Sequence, residues 1–422
     1  MKNVKKGGQF SLSLISLVIG NLFFCACQQE PKSEKNVDDV FFPIMAWDDV
    51  RNEETIQKMA EAGINMIAFT PPELLDACEQ HGVKAIVFDA RVTPKWDEQF
   101  DAEKGNAALK DLITKYNDHP AVYGYHLKDE PDGNQLYELG KSARLVNELA
   151  PGKWAYINLP PGMGDWYDKE YLQLFVDQCE PKFISYDNYA IGESDPYGFS
   201  WGYWANIWDI RSASLRNNVP FHTILLTGAH FSYRIPSYDD LSLQIFGALA
   251  YGAHGLAYYK FVGETLSVLG APELGNWRFA PLDEFGDITP SYYNVKNLNK
   301  RVQAWAPTLL KLRSDDVYHV GGDIPDRNHG VTDTSLIQGF ETGHSFIVGE
   351  FTHTEDGSKW IMVVNKDLKG STFLRPTFSE SVDPDAIQLL SHATGELIEW
   401  PGIWYSLAPG QGALLKVALK PH

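Results

Sequence analysis

The sequence predicts a (β/α)8 barrel over residues 40–311 followed by a small all-β sandwich domain over 312–422. Three observations carry this. Eight short apolar, β-branched or aromatic runs alternate with amphipathic stretches between residue 41 and about 310. The ends of those runs are repeatedly polar while their middles are not. Around Leu312 the rhythm changes to short strands separated by turn signals, with almost no helical spacing.

The eight runs are FFPIMAW, INMIAFT from Ile64, VKAIVFDA from Val83, AVYGYHL from Ala121, KWAYINL from Lys153, KFISYDNY from Lys182, PFHTILLT from Pro220 and GLAYYKF from Gly255. Segments such as NEETIQKMAEAG, NAALKDLITKY and DLSLQIFGALAYGAHG between them read as helices. Eight units suit a closed barrel better than an open doubly wound sheet, which has fewer strands and a glycine-rich first turn. The late segments SFIVGEFTH, KWIMVVNK and GALLKVAL, punctuated by EDGS, ATGE and PGQG, are the strands of the β domain. Packing against the barrel is its default role.

The N-terminus reads as an export signal. MKNVKKGG is a basic leader, FSLSLISLVIGNLFF an apolar core, and CAC follows, which resembles a bacterial lipoprotein signal over residues 1–26. Cys27 after the small Ala26 fits the lipidation pattern better than Cys25 after Phe24. Residues 27–39 then form a polar tether. The expectation is a monomer on the periplasmic or cell-surface face of a bacterial membrane, held by lipid alone. Of the four cysteines, only Cys78 and Cys179 lie beyond this region, so no disulfide framework is implied.

Charge and motifs narrow the chemistry. The chain has 36 Lys+Arg against 55 Asp+Glu, a net charge of −19, which argues against nucleic acid as a partner. A zinc-type CxxC pair, a GxxxxGK[ST] loop and a GxGxxG after a strand are all missing from the sequence, so neither a metal nor a cofactor is expected.

Barrel enzymes carry their chemistry at the C-terminal ends of the strands. Strand 1 ends in Trp47, Asp48 and Asp49, strand 3 in Asp89 and Arg91, and strand 4 in Lys128, Asp129 and Glu130. Strand 5 ends near Asn158, strand 6 in Tyr186, Asp187, Asn188 and Tyr189, and strand 8 in Tyr259 and Lys260. Cleaving a glycoside needs a proton on the leaving oxygen and a group that stabilises or captures the oxocarbenium-like centre. Strict alternation along strand 4 aims His126, Lys128 and Glu130 into the lumen and Tyr125, Leu127 and Asp129 toward the helices. Asp129 joins Glu130 only if the strand twists or bulges before Pro131.

Sugar sites pair aromatic platforms with hydrogen-bonding groups, which makes Asp48, Asp89, Asn158, Tyr189, Trp204, Lys260 and Trp277 the expected substrate contacts. Trp96 is a weaker candidate, Trp208 reads as core, and Glu264 is a reserve carboxylate. Asp240 in SYDD reads as a helix cap, and His222, His230 and His254 as structural.

GYHLKDEPD, FISYDNYA, FGALAYGAHGLAYYKF and DITPSYYNVKNLNKRVQAWAPTLLKL together resemble bacterial (β/α)8 glycoside hydrolases. In the retaining clan of such barrels strand 4 ends Asn-Glu-Pro and strand 7 supplies a second Glu. Here Asp129 replaces the Asn, and strand 7 ends LLTGAH without an acid. The Asp-Glu pair is similar to that of glycoside hydrolase families 20 and 123. That resemblance implies Glu130 as general acid and Asp129 orienting a substrate 2-acetamido group that attacks the anomeric carbon, on an N-acetylhexosamine-containing oligosaccharide or polysaccharide. The rival expectation uses Asp187 or Asp89 as a second carboxylate in an inverting or retaining glycosidase. A glycan-binding barrel without catalysis and a scaffolding lipoprotein are the other classes.

Overall fold

The computed structural model describes residues 41–95, 98–194, 199 and 201–420, apart from the side chain of Trp201. The expected signal and tether, with Cys27, and Trp96 lie outside the described residues. Strands β1 (Ile44–Asp49), β2 (Met66–Thr70), β3 (Lys84–Val87), β4 (Val122–Asp129), β5 (Trp154–Leu159), β6 (Ile184–Asp187), β7 (Phe221–Leu226) and β8 (Gly255–Tyr259) form a closed parallel barrel in sequence order. Helices α1 (Glu53–Glu61), α2 (Leu75–Gln80), α3 (Ala102–Tyr116), α4 (Gln135–Leu149), α5 (Leu172–Cys179), α6 (Trp201–Asn217) and α7 (Tyr238–Ala250) connect successive strands. The short α8 (Leu266–Leu269) and the long α9 (Pro290–Leu309) follow β8. All eight expected strands are present.

The strands read as unbroken apolar runs because both faces are buried. Along β1, Ile44 and Ala46 join the large core beneath the helices, while Met45 and Trp47 join a separate lumen cluster with Met66, Ala68, Ile86, Tyr156, Phe183, Ile224 and Ala257. This plug fills the barrel and leaves polar side chains to the mouth above it. Helix starts are set by local chemistry: the Asn52 side chain caps α1, Asp101 caps α3, and Ser237 and Asp240 form a reciprocal capping box on α7. Asp240 is therefore the cap that its spacing predicts, and it is also paired with Arg234.

Strands β9 (Leu312–Val320), β10 (Ile337–Phe340), β11 (Phe346–His353), β12 (Lys359–Asn365), β13 (Thr372–Phe373), β14 (Pro376–Phe378), β15 (Val382–Leu390), β16 (Leu397–Glu399), β17 (Ser406–Leu407) and β18 (Gly412–Leu419) build the β domain. Its main layer is a six-stranded sheet in the order β16-β15-β18-β12-β11-β9, and β10-β14 and β13-β17 are two separate two-stranded sheets. Period-2 alternation divides the faces. Trp360, Met362 and Val364 join the barrel core, whereas Ile361 and Val363 join a core within the β domain.

That contact corrects one sequence expectation. Trp204 is only 3% exposed and packs against Phe199, Tyr203, Tyr251 and His319, which places it in the core between α6, α7 and the β domain. A Cβ added to Gly247 would lie 2.8 Å from its indole, so α7 presents a glycine where the ring lies across it. Trp204 is packing rather than a sugar platform. Cys78 and Cys179 are free and buried, and burial pushes both thiols up to about 12.

Candidate active site

Asn158 organises the barrel mouth. It lies on β5, beside Asp129 of β4 and Ser185 of β6 in the strand register, and is fully buried. Its Nδ2 donates to Asp129 Oδ1 at 3.0 Å and to Asp187 Oδ1 at 2.7 Å. Its Oδ1 accepts from Ser185 Oγ at 3.0 Å, and because that hydroxyl donates there, Tyr156 OH, 2.7 Å away, donates to Ser185. The chain of donors fixes which end of the amide faces the acids. Both amide hydrogens are spent on carboxylates that would otherwise repel each other.

Strand β4 departs from strict alternation. A register irregularity against β5 falls between His126 and Lys128. His126 still faces the lumen, with its ring against Trp47, Phe69 and Tyr156, and Tyr125 and Leu127 still face the helices. The Lys128 ammonium instead donates to the carbonyls of Lys95 and Glu98, and the Asp129 carboxylate turns to Asn158. Glu130 then takes a left-handed φ of 45°, with its N–H on the Asn158 carbonyl at 2.9 Å. This conformation is uncommon for a residue with a Cβ, and such departures cluster at functional sites. Asp129 and Glu130, adjacent in sequence, thus reach the same mouth by the bulged ending that Pro131 made plausible.

The Glu130 and Asp187 carboxyls act on each other electrostatically. Burial and the neighbouring Asp129 charge push Glu130 up to about 7. Asp187, 7% exposed, is raised well above the carboxylate range, first by burial and then by the charges of Glu130 and Asp129. Burial also raises Asp129, with the Asn158 bond opposing it. Three acids packed this closely cannot all ionise at neutral pH. The cluster therefore retains a proton, and Glu130, partly shielded by its neighbours, is its member that solvent reaches most at the mouth.

An aromatic wall stands beside the acids. Tyr189 stacks on Tyr259 with centroids 5.5 Å apart and meets His230 and Tyr233 edge-on. Trp277 stacks on His230 at 4.3 Å and meets Tyr259 edge-on. Asp187, Asp129 and Glu130 all act electrostatically on the Tyr189 hydroxyl. The wall joins two expected contacts, Tyr189 and Trp277, to residues that sequence reasoning did not assign to binding. Tyr259 and its partner Tyr258 are indistinguishable in the run AYYKF, and His230 has no motif to mark it.

Other expected residues are engaged elsewhere. Asp48 Oδ1 accepts from Lys260 Nζ at 2.8 Å, and its Oδ2 accepts from the N–H groups of Phe261 and Val262 at 2.9 and 2.7 Å. Burial pushes Asp48 up to about 6 while Lys260 opposes the rise. Lys260 also reaches Glu264 at 3.0 Å. Asp48 and Lys260 are thus a buried clasp between β1 and the segment after β8, which corrects their assignment as substrate contacts. Asp89 is closed on Arg91 through its backbone N–H and guanidinium, with bonds of 2.6 to 3.1 Å, and that pairing lowers its carboxyl below the usual range. It is a local turn brace outside the three-acid cluster.

No protein-family model and no curated protein matches the chain. Among solved structures it is similar to a glycoside hydrolase family 5 protein from Bacteroides vulgatus, at 12% identity and a TM-score of 0.55, over 89% of each chain. A structure described as a glycoside hydrolase matches at 12% identity and a TM-score of 0.54, over 89% of this chain and 92% of that one. A β-galactosidase from the psychrophilic Marinomonas ef1 matches at 13% identity and a TM-score of 0.48, and the match spans 64% of this chain but only 62% of that one. The first two likenesses show the fold, a (β/α)8 barrel followed by a β domain.

Proposed function

We propose that the chain is a glycoside hydrolase acting on complex glycans, with Glu130 as the proton donor and the substrate's own 2-acetamido group as the nucleophile. The observation that carries this reading is the bracket at Asn158. It holds Asp129 and Asp187 on one amide and sets Glu130 against Asp187, in a cluster that keeps a proton near neutral pH.

In the first step the Glu130 proton passes to the glycosidic oxygen as the bond from that oxygen to C1 breaks. The acetamido carbonyl oxygen closes on C1 from the other side, and Asp129, fixed by Asn158, accepts the acetamido N–H and balances the charge of the oxazolinium. In the second step Glu130, now ionised, takes a proton from a water that opens the ring at C1. The aromatic wall supports the apolar face of the sugar.

The rival reading makes Asp187 a nucleophile or a base for water. Those roles need carboxyls about 5–5.5 Å or 6.5–9.5 Å apart. Asp187 and Glu130 act electrostatically on each other, which is the observation behind that rival. The segment Thr227–His230 after β7 carries no acid, which the substrate-assisted route does not require.

A panel of chromogenic glycosides, with and without a 2-acetamido group, tests the proposal. Turnover confined to the acetamido substrates is the expected result, and equal turnover of the 2-hydroxy analogues would sink the substrate-assisted route. Glycan binding with no turnover would place the chain among non-catalytic barrels. Export and lipidation at Cys27 rest on the sequence alone. Labelled fatty acid that attaches to the wild type and to Cys25→Ser but not to Cys27→Ser is the matching outcome.

A further inference from the structure

A pocket of about 660 Å³ opens at the opposite end of the barrel from the acid cluster. Asp129 and Asp187 end their strands, whereas this pocket is lined by Pro220 and Phe221, where β7 begins, and by His254, just before β8. Its other walls are α6 through Arg211 and Ser214, Leu310 after α9, and β9 of the β domain from Leu312 to Asp315. The turn from α7 to β8 closes on β9 at a glycine: Gly252 has a φ of 92°, and a Cβ there would lie 3.0 Å from Ser314 Cβ. The volume falls within the span of small-molecule sites, roughly 300–1,000 Å³.

Arg211 is the unusual member of this wall. It is only 6% exposed. Its Nε donates to Ser314 Oγ at 3.0 Å, and its buried Nη2 has no hydrogen-bond partner among the described residues. The Trp208 ring, 5.6 Å from Cζ, faces the cation without offering an acceptor. Asp315, the carboxylate in the same wall, is taken: it pairs with Arg313 at 3.0 Å and accepts from Lys359 at 2.9 Å and from Thr352. Buried charges are ordinarily paired, because an ion taken out of water without a partner destabilises the fold. Burial accordingly lowers Arg211 below the ordinary guanidinium value, with Asp316 and Asp315 opposing by charge alone.

We infer that this pocket binds a small organic carboxylate, with its charged end drawn to Arg211 and an apolar body on Val219, Pro220, Leu310 and Leu312. The charges in the wall select a monoanion. Arg313 and Asp315 cancel each other, and His254, whose Nδ1 lies 3.0 Å from the Gly252 carbonyl, is lowered by burial and neutral at pH 7. Arg211 is left as a single positive charge in a chain of net charge −19. The planar guanidinium edge matches a carboxylate, whereas a phosphate dianion would need a second cation. The pocket lies at the far end of the barrel, so its ligand is independent of the proposed hydrolase reading.

The test is calorimetric titration of the protein with hexanoate, with hexanamide and with inorganic phosphate, on the wild type, Arg211→Gln, Ser214→Trp and Glu130→Gln. Hexanoate is expected to bind the wild type and Glu130→Gln alike, about tenfold tighter than hexanamide. That preference should vanish in Arg211→Gln. Ser214→Trp narrows the pocket and leaves the guanidinium in place, so it should lose hexanoate, and it decides the matter if Arg211→Gln does not fold. Equal binding of acid and amide by the wild type overturns the inference, as does hexanoate binding that both pocket variants retain. No binding of any probe overturns it too and leaves water to serve Arg211. Phosphate bound as tightly as hexanoate overturns the carboxylate assignment, and loss of hexanoate in Glu130→Gln would place the ligand at the mouth instead.

Discussion

Asp129 and Asp187, on different strands of the barrel, are held by one nitrogen: Asn158 Nδ2 lies 3.0 Å from the first carboxylate and 2.7 Å from the second. Neither acid can shift without disturbing the bond that restrains the other. The two buried acids share one donor, and the Lys128 ammonium, bonded to backbone carbonyls of the loop after β3, adds a favourable charge near Asp129.

Replacing that donor separates the bracket from the acids. Asn158→Ala is expected to lower kcat about 100-fold, because misplaced catalytic groups cost that order in rate. It also removes the bonds that oppose the raised values of Asp129 and Asp187. Its melting temperature should therefore fall more at pH 8 than at pH 5, measured by thermal scans at both. An equal fall at both would show that Asn158 acts by packing alone.

Asp187 carries a stability cost whose sign is fixed. Its folded value lies well above the ordinary carboxylate value, so the folded protein binds more protons than the unfolded chain between the two. Its contribution is fully present below the unfolded value and is lost as pH rises toward the folded one. Asp187→Asn removes that loss. The variant should melt about 2–4 °C above the wild type at pH 8, with a smaller difference at pH 5 and with activity reduced.

The proposed proton donor should show in the rate profile. Glu130 is pushed up to about 7 by burial and by Asp129, and an acid must be protonated to act, so kcat/KM is expected to fall above about pH 7. Asp129→Asn removes a charge that raises Glu130, so the alkaline limb should move to lower pH in the variant. A limb that stays in place would detach Asp129 from the acid's titration.

The Asp48–Lys260 clasp predicts a different signature. Asp48→Ala leaves the Phe261 and Val262 N–H groups without their acceptor and the Lys260 ammonium relying on Glu264, and should destabilise the protein by about 1–3 kcal/mol. At a temperature where the variant is folded, KM should change little. A large rise in KM with unchanged stability would return Asp48 to the binding site.

How much of this was legible in the sequence depended on the range of the interaction. The eight strands were readable because burial on both faces makes each an unbroken apolar run, and Asp240 was readable as a cap because its partner Ser237 is three residues away. Asp48 was misassigned because what satisfies it, Lys260, lies 212 residues along the chain. Trp204 lies on a helix whose start follows undescribed residues, and the spacing of its aromatics does not say which side meets the β domain. The adjacent acids at positions 129 and 130 were visible. Their convergence was not, since the bulge in β4 depends on how β5 registers beside it. The bracket at Asn158 joins three strands, and a single sequence places residues on strands without showing which side chains bond across them.

The most direct test of the account compares Glu130→Gln with the wild type on aryl N-acetylhexosaminides whose leaving groups range from poor to activated. A proton donor matters most when the departing oxygen is basic. The account predicts that kcat/KM falls about 1,000-fold with an unactivated leaving group and far less with dinitrophenolate. A loss of equal size across the series, or turnover that survives the substitution unchanged, would contradict it.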